Sequence, residues 1–348
     1  MSEQQLASKK GEIEFRRKLV SQQIGGETVL DDEFDAEGIE KILLSRMRVT
    51  LERMSSLRNR GVPLSPYLEI GAERCQRSLV MENDVGAHGA AADISFDMLR
   101  SCRHYQKAFD KPMAPLRICC DIERLPFFSG ALPFVFCYQT LHHFPDPSRA
   151  VREVHRVLAP GGRFYFDEEP YRKIAHLSLY RRKVYARETL ASSRLRRRLD
   201  FLFAREVNNE TDHGIVENDT IDVSAWKRAL AVFAEKHVTI TTVRGISADV
   251  FRPRSRLRYL FAFLLGGTIS GLCRKGGEAG GSPANLYEAL VCPSCLPEGR
   301  EHALAAHEGG FACVACRKRY PAVDGVAFLL SYPTFRDLYP MVFATVSG

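Results

Sequence analysis

Hydrophobic and polar positions alternate along residues 67–167 in a pattern typical of repeated strands and helices. Short apolar runs bounded by turn residues predict five strands, at 67–70, 89–93, 116–120, 134–138 and 162–167. Before the last strand, apolar residues at 150, 154 and 158 lie four apart, which predicts a helix over 147–158 with one buried face. This alternation favours βαβ units, so we expect an α/β fold with a doubly wound, mostly parallel sheet.

The segments that flank this core are helical in pattern. In residues 36–59 the apolar side chains recur at spacings of four, four, four and three, which predicts a helix with one buried stripe. Residues 171–206 also read as helical, and such a helix is a candidate lid over the strand ends. A glycine-rich linker marks a domain boundary after residue 274. The predicted divisions are an N-terminal helical segment 1–66, a main domain 67–274 with the insertion 171–206, a linker 275–285, a small module 286–331 and a tail 332–348.

Composition places the chain among ordinary globular proteins. Its 348 residues are 45% hydrophobic, enough to build more than one folded unit. Residues 1–18 are polar and charged and lack the apolar stretch of a secretory signal, so we expect a cytoplasmic protein. The cytosol keeps thiols reduced, and the ten cysteines are therefore expected to bind metal or to lie buried rather than to form disulfides.

The net charge of +7 is concentrated in two basic stretches. Residues 171–206 carry eleven Lys or Arg against three acids. The second stretch has arginines at 252, 254, 256 and 258 and basic residues at 274 and 275, around an apolar run at 259–273. This run is too short for a transmembrane segment and reads either as an ordinary buried helix or as an interfacial segment in peripheral contact with an anionic membrane. Basic stretches also suit RNA, so both partners stay open.

Four cysteines near the C-terminus have the spacing of a metal site. Cys292 and Cys295 form one C-x2-C pair, and after seventeen residues Cys313 and Cys316 form another. Two such pairs bring four thiolates into a tetrahedron, which suits zinc. Because sulfur would fill all four positions, the predicted zinc ion is structural.

A glycine turn after the first strand and an acidic residue at the end of the second predict a nucleoside site. Gly71 follows the first strand, and Asp93 ends the second, where a carboxylate can accept hydrogen bonds from both ribose hydroxyls. A dinucleotide would bring its pyrophosphate against the first loop, where the carboxylate of Glu73 would repel it. The sequence therefore favours a cofactor that has an adenosine but no phosphate.

With these features, residues 67–166 resemble the core of the class I S-adenosylmethionine-dependent methyltransferases, a Rossmann-like fold. The resemblance is carried by Leu125-Pro126-Phe127, by Leu141-His142-His143 and by the run from Arg156 to Gly162. It implies S-adenosyl-L-methionine as cofactor. It also implies these cofactor-binding residues: Glu69, Gly71 and Ala72 at the methionine end, Asp93 at the ribose, Ile94, Asp121 and Ile122 around the adenine, and Gln139 beside the sulfonium.

The first loop departs from the family pattern, which has glycine at every second position. This chain reads Gly71-Ala72-Glu73-Arg74-Cys75, and side chains there are expected to narrow the pocket. A degenerate, cofactor-free fold that acts as a binding scaffold is therefore one alternative.

No catalytic residue is assigned from the sequence. His142 and His143 read either as proton-transfer groups or as packing residues, and the acids at 167–169 either as proton acceptors or as a charged strand end.

The C-terminal module resembles small zinc ribbons found beside methyltransferases, as activator subunits or fused domains. The two resemblances together predict a methyltransferase that acts on a small-molecule or lipid- or saccharide-linked acceptor. The rival hypothesis is an RNA methyltransferase for rRNA or tRNA.

Overall fold

The centre of the fold is a twelve-stranded sheet, seen in a computed structural model that describes residues 3–25, 36–144, 146–172, 180–183, 204–207, 221–242, 244–278 and 285–346. Its strands run in the order β11-β12-β13-β14-β3-β2-β1-β4-β5-β10-β8-β9. The strand bounds are β1 Tyr67–Ile70, β2 Gly89–Asp93, β3 Leu116–Cys119, β4 Leu132–Tyr138, β5 Leu158–Tyr171, β6 Tyr180–Lys183, β7 Ala204–Val207, β8 Glu235–Thr242, β9 Ser247–Asp249, β10 Gly267–Arg274, β11 Leu304–His307, β12 Gly310–Cys313, β13 Arg319–Val323 and β14 Val326–Phe328.

Neighbouring strands from β14 to β5 are parallel, and the pairs toward both edges are antiparallel. The five strands predicted from the sequence form the parallel centre, so the predicted α/β fold is confirmed. The strand order reverses between β1 and β4, because β2 and β3 follow on one side of this pair and β5 follows on the other. A sheet of this kind leaves a crevice at the carboxyl ends of its strands.

Helices cover both faces of the sheet. Their bounds are α1 Glu3–Gly25, α2 Ala36–Asn59, α3 Gln76–Val80, α4 Phe96–Ala108, α5 Ser148–Val157, α6 Val223–Ala229, α7 Arg256–Leu265, α8 Tyr332–Leu338 and α9 Pro340–Ala344. The pleat directs alternate side chains to opposite faces. Thus Leu68 of β1 packs in one core with Val154 of α5, whereas its neighbour Tyr67 packs in another with Met54 of α2.

Two expectations for the basic stretches need correction. Within 171–206, Tyr180–Lys183 and Ala204–Val207 are short parallel strands instead of helix, and residues 173–179 and 184–203 lie outside the described residues. The apolar run 259–273 is not one segment either. Its first part lies in α7, and its second part is β10, which pairs with β5 and β8 inside the sheet.

The C-terminal module is joined to the main sheet. Its last strand, β14, lies parallel to β3, with Ala327 opposite Ile118. The tail helices α8 and α9 follow, and the hydroxyl of Tyr339 donates a hydrogen bond of 2.6 Å to the carbonyl oxygen of Ile94, just after β2. The module is therefore an extension of the same sheet.

Candidate functional site

A cavity of about 260 Å³ lies at the carboxyl ends of β1 to β4. Of the eight residues predicted to bind cofactor, six line it: Gly71, Asp93, Ile94, Asp121, Ile122 and Gln139. Glu69 and Ala72 are not among the lining residues and are both buried, 1% exposed each. The cavity thus brings together side chains from four strand ends.

The first loop keeps a left-handed backbone at every second residue. The φ angles are +67° at Gly71, +47° at Glu73 and +61° at Cys75, the three positions where the family has glycine. For a residue with a side chain this conformation costs roughly 1 kcal/mol or more. The chain therefore holds the shape of a glycine loop without two of its glycines.

Gly71 is required for a second reason. A Cβ at this position would lie 2.3 Å from the Thr140 side-chain oxygen, which belongs to the turn after β4. This distance is shorter than any van der Waals contact, so no other residue fits without moving the turn. The glycine lets the ends of β1 and β4 approach each other.

Asp93 is anchored by the loop that it faces. Its two carboxylate oxygens accept hydrogen bonds from the backbone N–H groups of Glu73 at 2.9 Å and Ser95 at 2.8 Å. Burial raises the pKa of Asp93 to about 6, although these two hydrogen bonds oppose the rise. At neutral pH a fixed carboxylate thus lies on the cavity wall, with further lone pairs able to accept hydroxyl donors.

Glu73 also lines the cavity, and cations compensate its charge. Arg46 lies 3.0 Å and Arg16 3.9 Å from its carboxylate oxygens. Burial alone would raise the pKa of Glu73, but the two arginines hold it well below its usual range. Arg74, by contrast, is 7% exposed and lies over the ring of Tyr105, so it does not line the cavity.

Glu69 packs beneath the loop. Its carboxylate accepts a hydrogen bond of 2.5 Å from the Ser78 hydroxyl. Burial raises the pKa of Glu69 to about 7, even though Arg77 and Ser78 favour the charged form. The contacts of Glu69 join β1 to α3.

The turn after β4 is held by one buried carboxylate. Glu169 accepts hydrogen bonds from the backbone N–H groups of Thr140 at 2.7 Å, Leu141 at 2.9 Å and His142 at 3.1 Å, and lies 3.0 Å from His142 Nδ1. It is fully buried, so its role is to position the turn. His143, one residue further, lines the cavity.

The other acids at the end of β5 turn away from the cavity. Tyr165 donates a hydrogen bond of 2.5 Å to Asp167, and Arg77 lies 3.8 Å from Glu168. Neither acid is among the lining residues. This arrangement favours a structural interpretation of the acidic cluster over proton transfer.

Helix α1 covers the cavity, which the sequence did not reveal. Gln4, Gln5, Ser8, Lys9, Glu12 and Arg16 line it from above. Lys9 Nζ lies 2.5 Å from Asp121 and 3.3 Å from Glu123, and Arg17 lies 3.2 Å from Asp97. The carboxylates lie 80 to 114 positions from Lys9 and Arg17 in sequence, so no local sequence pattern predicts these ion pairs. Among the described residues α1 covers the cavity, whereas most of the basic insertion that the sequence offered as a lid lies outside them.

The four C-terminal cysteines come together as their spacing predicts. Their sulfur atoms all lie within 4.8 Å of one another. Cys292 Sγ lies 3.6 Å from Cys316 Sγ, and Cys295 Sγ lies 4.0 Å from Cys313 Sγ. In a tetrahedral zinc–thiolate site with bonds of about 2.3 Å, sulfur atoms are about 3.8 Å apart. The donor set and its size therefore fit a metal ion of this kind.

No helix among the described residues is both long and apolar enough to cross a membrane. The family described as "Methyltransferase domain" matches residues 68–166, which contain all the strands around the cavity.

Three curated proteins are similar to part of the chain. An uncharacterised chloroplastic methyltransferase of Arabidopsis thaliana is 34% identical over 30% of this chain and 32% of its own length. The sarcosine/dimethylglycine N-methyltransferase of Halorhodospira halochloris is 29% identical over 37% of this chain and 46% of its own. Phthiotriol/phenolphthiotriol dimycocerosates methyltransferase 1 of Mycobacterium ulcerans is 31% identical over 43% of this chain and 45% of its own. The chain thus spans less than half the length of each.

The family match coincides with the parallel strands and the cavity at their carboxyl ends. Residues 68–166 are therefore a class I S-adenosylmethionine-dependent methyltransferase domain.

Proposed function

We propose that the protein transfers a methyl group from S-adenosyl-L-methionine to a small-molecule or lipid-linked acceptor. The observation that supports this most directly is that Gly71 and Asp93 line one cavity, with the loop between β1 and α3 in its left-handed form. A degenerate loop would have no reason to keep a strained backbone at Glu73 and Cys75. Strain of this kind persists where the surrounding structure holds it, and functional sites are where it concentrates.

The residues on the cavity wall suit a cofactor that combines an adenosine with a positively charged group. We assign the ribose hydroxyls to Asp93, whose carboxylate is already oriented by two backbone N–H groups. Ile94 and Ile122 supply apolar surface for a base, and Asp121 lies at the same end. Gln139 and His143 follow β4, which lies on the other side of β1 from β2 and β3. They line the part of the cavity where we place the acceptor.

Methyl transfer needs positioning more than proton chemistry. The cofactor supplies an electrophilic methyl group on a sulfonium, and the charge is lost as the new bond forms. The protein therefore contributes by aligning the acceptor and excluding water. Helix α1 excludes water from above, and Glu169 fixes the turn that carries His143. This explains why His143 can be the one imidazole among the lining residues at the acceptor end of the cavity without further acid–base groups for methyl transfer.

The acceptor class is inferred from relatives. The two relatives with named substrates act on sarcosine or dimethylglycine and on phthiotriol-type dimycocerosates, a small amine and a lipid. Because both named substrates are small molecules or lipids, we place small and lipid-linked acceptors first. The basic residues that suggested RNA lie mainly between 173 and 203, largely outside the described residues, so the acceptor experiment includes RNA.

We also propose that the four-cysteine cluster holds a structural zinc ion. All four donors are sulfur, so such a site leaves no open position for a substrate or a reactive water. Its role would be to hold β11 to β14 in register against β3.

Calorimetric titration of S-adenosyl-L-methionine tests the cofactor site. The unmodified protein should bind, and Asp93→Asn should weaken binding by about 2 kcal/mol, the typical contribution of a hydrogen bond to a charged group. Because the pKa of Asp93 is raised to about 6, affinity should fall as the pH drops below that value in the unmodified protein but not in the variant. Asp84→Asn removes a carboxylate that pairs with Lys111 outside the cavity and should leave binding unchanged. Absence of heat with the unmodified protein would support the scaffold alternative.

The acceptor is tested by methyl label. The protein is incubated with labelled cofactor and, separately, with a lipid extract, a small-metabolite extract and bulk RNA from the same cells. Label in the lipid or metabolite arm supports the proposal. Label in RNA alone would establish the rival acceptor.

A further inference from the structure

Helix α7 has apolar side chains on its outward face. Leu257, Leu260 and Phe261 are 64%, 50% and 49% exposed, and spacings of three and four place them side by side on a helix. A surface helix normally has charged residues there. Three neighbouring large apolar side chains in solvent mark an interaction surface.

The inward face of α7 packs against the main core. Ala262 is fully buried, and Tyr259 and Phe263 pack against the main core. The Tyr171 hydroxyl donates a hydrogen bond of 2.6 Å to the Ala262 carbonyl oxygen. The Ser255 hydroxyl caps the first turn by accepting from the backbone N–H of Arg258. The helix is therefore fixed with its apolar outer face toward solvent.

Cations surround the exposed side chains. Arg252, Arg254, Arg256 and Arg258 are all exposed, and the sequence has no acid between Asp249 and Glu278. None of the four guanidinium groups makes an ion pair with a carboxylate of the described part of the chain. Within the described part of the chain, the surface thus combines an apolar stripe with positive charge that no carboxylate pairs with.

The position of α7 relates it to the cavity. The helix leads directly into β10, whose first residue, Gly267, lies opposite Tyr171 at the carboxyl end of β5. The cavity lies at the carboxyl ends of β1 to β4 in the same sheet. The C-terminal end of α7 therefore lies at the same end of the sheet as the cavity.

We propose that α7 docks the protein on an anionic lipid surface, with its apolar stripe in the boundary between headgroups and acyl chains and the four arginines against the headgroup phosphates. Helices that lie in a membrane interface combine these two features. An RNA chain would engage the arginines but leave Leu257 and Leu260 in water, so the apolar stripe favours lipid. The proposal deepens the proposed function, because it would bring the protein to the surface that holds a lipid-linked acceptor. Docking itself does not require methyl transfer.

Vesicle sedimentation with the full chain tests the docking. Vesicles of phosphatidylcholine alone are compared with vesicles in which part of it is replaced by phosphatidylglycerol. The protein should sediment with the anionic vesicles. Leu260→Gln combined with Phe261→Gln should lower the partition coefficient at least about tenfold, because two large side chains no longer leave water. Arg254→Gln combined with Arg256→Gln should lower it roughly tenfold or more at low salt, and less at high salt.

Met341→Gln is the matched control, since Met341 on α9 is 82% exposed and the sequence of residues 332–348 has a single arginine, Arg336. It should sediment like the unmodified protein. The α7 variants should keep the unmodified melting temperature and the same calorimetric affinity for S-adenosyl-L-methionine, which separates a docking defect from a failure of the proposed function. The proposal is overturned if the unmodified protein stays in the supernatant with anionic vesicles. Sedimentation of the Leu260 and Phe261 variant at the unmodified level would overturn it as well.

Discussion

The four-cysteine cluster and the cavity differ in how far apart their residues lie in sequence. All four cysteines fall between residues 292 and 316, whereas the cavity is lined by residues from Gln4 to Phe144. In the cluster, spacing alone brings the ligands together, because each C-x2-C turn presents two sulfur atoms. In the cavity, the strand order and a distant helix must be in place first. Local constraints can be read from a sequence, whereas long-range ones need the fold.

The two regions are nevertheless joined through β14 and β3, and the largest expected effect tests that connection. Cys313→Ser should prevent binding of the proposed zinc ion. A structural zinc site contributes about 10 kcal/mol or more to folding, and a large part of this should be lost. Because β14 lies against β3, the melting temperature of the whole chain should fall, with the zinc content measured by mass spectrometry.

Cys273→Ser, a buried cysteine outside the cluster, is the control for that experiment. This variant should bind zinc like the unmodified protein, and its free energy of unfolding should fall by only about 1 kcal/mol. If Cys313→Ser retains zinc, or if the β3 region melts as before, the two regions are less connected than the register suggests.

A smaller effect is expected at the cavity, where Gly71 lies against Thr140 in the turn after β4. Gly71→Ala should lower the free energy of unfolding by about 3 kcal/mol, because the left-handed backbone and the clash with Thr140 both oppose the new Cβ. Chemical denaturation measures this, and cofactor binding should be lost in parallel.

Gly61→Ala separates the two causes. Gly61 has φ +75° but no atom within 4 Å of an added Cβ, so only the backbone cost of about 1 kcal/mol should appear. Equal losses in the two variants would show that the approach to Thr140 is not a constraint.

The smallest expected effect on stability concerns Glu69, which packs beneath the loop between β1 and α3. The pKa of Glu69 is raised from 4.5 to about 7 in the folded state, so the protonated form stabilises the fold. That stabilisation is complete below about pH 4.5 and is lost as the pH rises through about 7. Glu69→Gln should therefore become the more stable of the two proteins at pH 8, by on the order of 2 kcal/mol.

Denaturation at several pH values gives the difference between the two proteins. The pKa of Asp93 is also raised, but Asp93 is present in both and cancels in the difference. A difference that does not change between pH 4 and pH 8 would mean that Glu69 is solvated in the folded protein.

The sequence by itself determined the parallel strands, the order of residues at their ends and the cysteine spacing. Each of these follows from a short-range rule: a strand's period, a turn's composition or the reach of a C-x2-C pair. That is why the sheet and the four-cysteine cluster agree with expectation, and why Gly71, Asp93, Asp121 and Gln139 meet around one cavity.

Only the tertiary structure decided what covers that cavity and how the C-terminal module is attached. Lys9 and Arg16 reach carboxylates far along the chain, and β14 pairs with β3 some 200 positions away. The apolar run at 259–273 was divided between an exposed helix and a sheet strand for the same reason, since both conformations suit an apolar segment until its neighbours are known. Whether each part of this run becomes helix or strand depends on the elements that it packs or pairs with, and not on its composition.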